Sequence, residues 1–264
     1  MIQLKYLVVI VFLLTFLAHY FLAADPPSFN EELFIAHRGL SSIAPENTMS
    51  SFNHAALEGF NMIELDVQMS KDKHLVVIHD ITLKRTAGLD KKISDLTLKE
   101  LKTLDVGEWY DESFAGEKIP TLDEVFMKFK DRYHLLIDLK RPSIYPGIEK
   151  VLTDKILDTY SPHEFSMLSI QSTELKSIML LNTFLPQIKK GLVISSHITY
   201  HQLNELGAKI DFITLHKRCL NYYFYQQAKR AKLTLYVWGI HNKYDYKNVK
   251  RLAVDGVVVG KRFD

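Results

Sequence analysis

The chain reads as an α/β protein of the (β/α)8 barrel class. Three observations predict this. Eight short β-rich runs alternate with helical stretches from Leu33 onward, the pattern of a parallel sheet closed on itself. The first run is followed by Ala36-His-Arg-Gly39, not by a G-x-G-x-x-G turn, so a doubly wound nucleotide-binding sheet lacks its usual signature. Polar residues also gather just beyond the strand-like runs, where barrels of this class carry their functional groups.

The elements follow in order. Lys5 precedes Tyr6 to Ala24, an apolar run of about 19 residues, close to the length that crosses a bilayer. Being apolar all round, it predicts an N-terminal helix outside the barrel. This is either a single-pass anchor or a signal peptide over residues 1–24, with Leu22-Ala-Ala24 as the cleavage site. Lys5 before the run and Asp25-Pro-Pro after it predict export of the remainder. The expected location is the cell membrane with the catalytic domain outside, or the exterior if the run is cleaved. Residues 25–32, with two prolines, read as a linker, and 33–264 as the barrel.

Leu33 to Ala36 is the first strand. Thr48 to Leu57 follows as a helix, with Asn47 as its N-cap. Met62-Ile-Glu-Leu-Asp-Val-Gln68 alternates like a strand, which puts Glu64 and Asp66 on one face. Ser70 to Lys73 is a polar break, and His74-Leu-Val-Val-Ile-His79 is β-rich again. So short a link excludes a parallel crossover. The second run must return antiparallel, in a hairpin centred between Lys71 and Asp72 that sets His79 roughly opposite Glu64.

Residues 81–118 are too long for an ordinary connection and predict a small inserted subdomain at the barrel mouth, helical over Leu96 to Leu104. The remaining strands are expected at His134 to Leu139, Phe165 to Ser169, Lys190 to Ile194, Phe212 to Leu215, Leu233 to Trp238 and Gly256 to Val259. Helical stretches such as Ile148 to Asp158 and Tyr222 to Ala231 separate them.

Composition narrows the partners little. A net charge of +2 and the lack of any long Lys/Arg block lend no support to nucleic acid as a partner. One cysteine, Cys219, excludes an intrachain disulfide.

The chemistry-bearing residues stand at the predicted strand ends. His37 and Arg38 close the first strand, Glu64 and Asp66 the second, and His79 and Asp80 the return. Asp138 and Lys140 close the next strand, two apart and on one face. Glu64, Asp66 and Asp138 suit a hard divalent cation, Ca²⁺ or Mg²⁺. Arg38 and Lys140 suit phosphate oxygens. His37 and His79 supply an acid and a base near neutral pH. Each pair alone is more often a solvated surface pair, but all four fall at strand ends with apolar flanks. Ile63, Leu65, Ile137 and Leu139 would then fill the opposite face.

Together, Ala36-His-Arg-Gly39, Pro45-Glu-Asn-Thr48, Glu64-Leu-Asp66-Val, Val76-Val-Ile-His79-Asp80 and Ile119-Pro-Thr-Leu-Asp-Glu124 resemble the glycerophosphodiester phosphodiesterase family. The similarity runs from about Leu33 to Asp264. It implies a TIM barrel with a small insertion, and metal-dependent hydrolysis of glycerophosphodiesters to glycerol 3-phosphate and an alcohol. It further implies His37 and His79 as the acid/base pair, Glu64 and Asp66 as metal ligands, Arg38 as the phosphate holder and Glu46 as support. Trp238 would either line the glycerol pocket or belong to the core.

Three stretches depart from the family pattern. Asp138-Leu-Lys140 stands where the family has Glu-x-Lys. Asp255-Gly-Val-Val-Val-Gly260-Lys-Arg lacks the family's Thr-Asp and proline. Trp238-Gly-Ile-His-Asn242 replaces Trp-Thr-Val-Asn. Two other readings remain at this stage. One is cleavage of a lysophospholipid head group by the same machinery, and the other is a binding module with a degraded site.

Overall fold

Residues 33–263 are described by a computed structural model. The expected anchor or signal segment (1–24) and linker (25–32) lie outside the described residues. Among those described, no helix is long and apolar enough to cross a membrane.

The strands in chain order are β1 (Leu33–Ala36), β2 (Met62–Met69), β3 (Leu75–Val77), β4 (His134–Leu139), β5 (Leu168–Ser172), β6 (Lys189–Ile194), β7 (Phe212–His216), β8 (Thr234–Trp238) and β9 (Gly256–Val259). All but β3 are parallel, and the pairing of β1 with both β9 and β2 closes them into an eight-stranded barrel. The predicted fold class is therefore observed. β3 returns antiparallel on β2, as the short link requires. It has a place there because β1 ends at Ala36, opposite Ile63, which leaves the far edge of β2 unpaired. The hairpin register pairs Val67 with Val77, so its centre falls on Asp72 rather than between Lys71 and Asp72.

The period-2 alternation of the strands sorts the residues. Ile63, Leu65 and Val67 of β2 and Leu135, Ile137 and Leu139 of β4 are buried in the layer beneath the helices. The opposite face lines the barrel. Ile35, Met62, Leu136, Phe212, Tyr236 and Val258 form an apolar cluster there. An ideal Cβ on Gly191 would lie 2.1 Å from the Phe212 ring, so only glycine on β6 leaves that ring its space. Toward the C-terminal end the interior becomes polar, with Glu64, Asp66, Asp138 and Gln171 all buried.

Two boundaries differ from expectation for local reasons. The fifth strand is Leu168–Ser172, not Phe165 to Ser169. Ser161-Pro-His-Glu164 instead starts a 3₁₀ turn over Pro162–Met167, with proline at its first position and Glu164 accepting the Ser161 N–H at 2.8 Å. The N-cap of the first described helix, α1 (Met49–Leu57), is Thr48, in a capping box with Ser51. Asn47 takes a left-handed φ of 56° and turns its side chain elsewhere.

The insertion has its own small core of Val76, Ile78, Leu83, Ile93, Leu96, Leu101, Val106 and Ile119. The expected helix over Leu96 to Leu104 is a short one, Leu98–Leu101, capped by Thr97 and Glu100.

Candidate active site

β2 and β4 lie in register, so Asp66 pairs with Asp138, and Gln171 of β5 continues the row. Oxygens of Glu64, Asp66 and Asp138 lie within 4.8 Å of one another. Lys140 Nζ bridges two of them, 2.9 Å from Asp66 Oδ1 and 2.7 Å from Asp138 Oδ2. Arg38, at φ 56°, begins a tight turn that Gly39 completes at φ 77°. A Cβ on Gly39 would strike Ser51. This turn aims the Arg38 backbone N–H at Glu64 Oε2 (2.7 Å), while the guanidinium meets Glu46 (2.8 Å) and Asp66 (3.2 Å).

Burial and crowding set the charges. Burial, followed by the neighbouring Asp66, raises the Glu64 carboxyl well above the usual range. Burial also raises Asp138, against the pull of Lys140. For Asp66 burial acts in the same sense, yet Lys140 and Arg38 together overcome it and hold its carboxyl well below the usual range. Burial works against a charged Lys140, but Asp138 and Asp66 keep the amine protonated. Three carboxylates thus face two fixed cations, which leaves the cluster short of positive charge. Among the described residues, Asp138 Oδ1 is buried without a hydrogen-bond partner. An orphaned acceptor of this kind is costly unless a cation or water meets it, so the donor set fits a hard divalent ion bound through oxygen.

His37 and His79 stand over this cluster. A cavity of about 60 Å³ reaches both histidines, Arg38, Glu64, Asp138 and Lys140, which is room for about two water molecules. It adjoins a cleft of about 490 Å³ and shares His37, Arg38, Trp238 and Val258 with it. Burial, then Arg38 and Lys140, pull the His37 imidazole down to about 3. His79 Nδ1 lies 2.8 Å from Asp80 Oδ1. Asp80 in turn accepts Arg85 Nε at 2.7 Å, and Arg85 reaches on to Glu46 through both terminal nitrogens, at 3.0 and 2.7 Å. Glu46 therefore sits between two arginines, behind the cavity and not on it.

All nine residues expected from the sequence lie at this end of the barrel. Arg38 and Lys140 are both engaged with carboxylates, and Trp238 lines the wall where the two spaces meet.

Several contributors were not anticipated. Asn47 donates Nδ2–H to Asp66 at 2.7 Å and accepts the Asp66 N–H at 3.1 Å. Gln68 reaches the carbonyls of Ile78, His79 and Asp80 at 2.8–2.9 Å and accepts the Tyr145 hydroxyl at 2.5 Å, so it ties the His79 segment to β2. Its signal was present, since Gln68 continues the inward face of Glu64 and Asp66. Gln171 steadies Asp138 and is itself held by Thr214. Arg85, from the insertion, had no local signal.

Residues 37–261 match the model of the glycerophosphoryl diester phosphodiesterase family. The chain belongs to that family. It is 36% identical over 232 residues to a glycerophosphodiester phosphodiesterase of Caldanaerobacter subterraneus subsp. tengcongensis, covering 86% of this chain and 93% of that one. It is 30% identical to one of Bacillus subtilis, over 85% and 82% of the two chains. Among solved structures, it is similar to a phosphodiesterase of Oleispira antarctica in complex with the product sn-glycerol-3-phosphate (TM-score 0.78, 25% identity, 86% and 92% covered). It is also similar to a glycerophosphodiester phosphodiesterase of Thermotoga maritima (TM-score 0.71, 26% identity, 88% and 95% covered).

As a member of this phosphodiesterase family, the chain is an enzyme that hydrolyses glycerophosphodiesters, and its buried acidic cluster suits a metal ion. Its departures from the family pattern now have places. Asp138 belongs to the acidic cluster, while His241, Gly260 and Lys261 line the larger cleft.

Proposed function

We propose that the hydrolysis is metal-dependent, runs on His37 and His79, and releases sn-glycerol 3-phosphate and an alcohol. The observation that carries this reading is the convergence of Glu64, Asp66 and Asp138 beneath two histidines, with one carboxylate oxygen of Asp138 left without a partner. Glu64, Asp66 and Asp138 would hold the ion, Ca²⁺ or Mg²⁺. When bound, such an ion neutralises phosphate oxygens as negative charge builds in the transition state.

The chain's own groups do the rest. Arg38 and Lys140, fixed by the carboxylates around them, add positive charge at the same place. His37 starts unprotonated, and so takes the proton of the attacking hydroxyl, either water, which gives glycerol 3-phosphate directly, or the neighbouring glycerol hydroxyl, which gives a cyclic phosphate that a water then opens. An anionic diester beside it raises its affinity for that proton. Asp80 as acceptor keeps a proton on His79 Nδ1, so proton transfer to the departing alkoxide runs through Nε2. The phosphorus–oxygen bond to the alcohol breaks as that oxygen gains its proton. The product complex of the Oleispira relative supports a glycerol phosphate half in the substrate. The N-terminal apolar run supports action at the outer face of the cell membrane, or beyond it after cleavage.

Two variants test the division of labour. Asp66→Asn keeps shape and removes charge, so calorimetry should show weaker metal binding, and excess metal should restore part of the turnover. His79→Asn should lower turnover by about 10²- to 10⁴-fold with metal binding close to that of the parent. Near-normal turnover in His79→Asn, or unaltered metal dependence in Asp66→Asn, refutes the reading.

A further inference from the structure

We propose that the sector of the mouth formed after β6, β7 and β8 is a docking face for an anionic lipid bilayer. In a barrel, the residues that follow each strand and open the next helix lie at the catalytic end. Here three consecutive helices, Tyr200–Gly207, Tyr222–Arg230 and Lys243–Lys250, each place tyrosine in the first turn. Tyr200, Tyr222, Tyr223 and Tyr244 are 47–75% exposed. Tyrosine has an apolar body and a polar tip, and it collects where apolar and wet surroundings meet. Four such rings in the same turn of neighbouring helices form a band, not scattered surface residues.

The charge around that band has one sign. Residues 195–201, 217–223, 239–244 and 260–263 contain no aspartate or glutamate. Among the described residues, Arg218, Lys243 and Lys261 carry no ion pair, and His197, His201 and His241 are exposed among them. On the helices that follow, Asp245 pairs with Lys217 and Glu205 with His201.

The loops at the other end of the same strands mix both signs, as with Lys209 beside Asp211 and Arg251 near Asp255. In the ring order, β7 stands diametrically opposite β2. The insertion on the β2 side mixes both signs, exposing Glu108, Asp111 and Glu112 together with Lys84, Lys91, Lys92 and Lys99. The mouth is therefore cationic and tyrosine-rich on the β6–β8 flank and of mixed charge on the other. Against an anionic lipid surface the β6–β8 flank is drawn down, which tilts the cleft toward the headgroups. Charge complementarity and the tyrosine band together select a bilayer over a neutral or apolar partner.

Hydrogen–deuterium exchange on the full chain tests this, with neutral phosphatidylcholine vesicles compared to vesicles containing phosphatidylglycerol. The neutral arm holds constant any insertion of the N-terminal apolar run. Slower exchange over 195–201, 217–223 and 239–244, confined to the anionic vesicles, is expected. Arg218→Gln with Lys243→Gln should lower the docked-to-undocked ratio roughly 30-fold without altering the thermal melt. Replacing Tyr222 and Tyr223 by serine should weaken protection in the same segments. Equal protection in both vesicle types, or full protection in the double glutamine variant, overturns the proposal. So does protection that grows with protein concentration in detergent alone, which assigns the face to a second copy. Protection by polyglutamate but not by anionic vesicles assigns it to an acidic protein.

Discussion

Arg85→Ala probes how the insertion governs chemistry that it does not itself perform. Arg85 donates to Asp80 at 2.7 Å and to Glu46 at 2.7 and 3.0 Å, and its guanidinium lies 5.2 Å from the Trp109 ring centroid. The guanidinium is about 40% exposed, so each ion pair contributes at most about 1 kcal/mol to stability. The stack over Trp109 adds about 0.5–1 kcal/mol. Loss of Arg85 should therefore destabilise the fold by about 1–2 kcal/mol, a shift small enough to leave it folded. The effect on turnover should be larger. Asp80 loses the group that aims it, and His79 loses a fixed acceptor on Nδ1. Removing such outer hydrogen bonds typically lowers activity about 10- to 100-fold.

Because Arg85 acts through Asp80, kcat should fall while KM and metal affinity stay near parental values. Arg85→Lys should not recover kcat, since an ammonium cannot bridge Asp80 and Glu46 as a planar fork does. Steady-state kinetics paired with metal titration check this. Full kcat in Arg85→Ala, or a loss confined to metal affinity, would refute the chain of contacts as the route to His79.

Three further outcomes follow from the geometry. Gln68→Leu strands the carbonyls of residues 78–80 and the Tyr145 hydroxyl, so denaturant unfolding should show a loss of about 2–3 kcal/mol, with faster amide exchange in that segment. Asp138→Glu extends the carboxylate by one methylene toward the cluster and should match or exceed parental kcat/KM; a drop beyond about tenfold would show that Asp138 does not face the metal. His134, at the start of β4 and bonded to Ser169 (2.9 Å), is lowered to about 4 by burial and by Lys189. The unfolded chain then binds its proton first, so stability holds above pH 6.5 and falls by up to about 3 kcal/mol as the pH drops toward 4. His134→Gln should flatten that part of a melt-against-pH curve.

The barrel and most of its polar end were legible because they rest on short-range physics. Alternation along Met62 to Gln68 told inside from outside, and the four-residue link before His74 forced the antiparallel return. Strand ends then located His37, Glu64, His79 and Asp138. What escaped was set by tertiary pairing. Asn47 had the form of an N-cap, but Thr48 already satisfies the helix and leaves Asn47 to Asp66. Phe165 has strand propensity, but Pro162 and the Ser161–Glu164 box hold it in a turn. Arg85 sits in a polar stretch of the insertion, and only the folded hairpin brings it to Glu46, 39 residues earlier.

The most direct test of the central claim is release of sn-glycerol 3-phosphate from glycerophosphocholine by the purified full chain, followed with an enzyme-coupled assay. The assay is run after chelation and again after return of Ca²⁺ or Mg²⁺. The account predicts release that stops on chelation, returns with the ion, and in His79→Asn stays at least about 100-fold below the parent at every metal concentration. Release that continues undiminished in the chelated enzyme would contradict it.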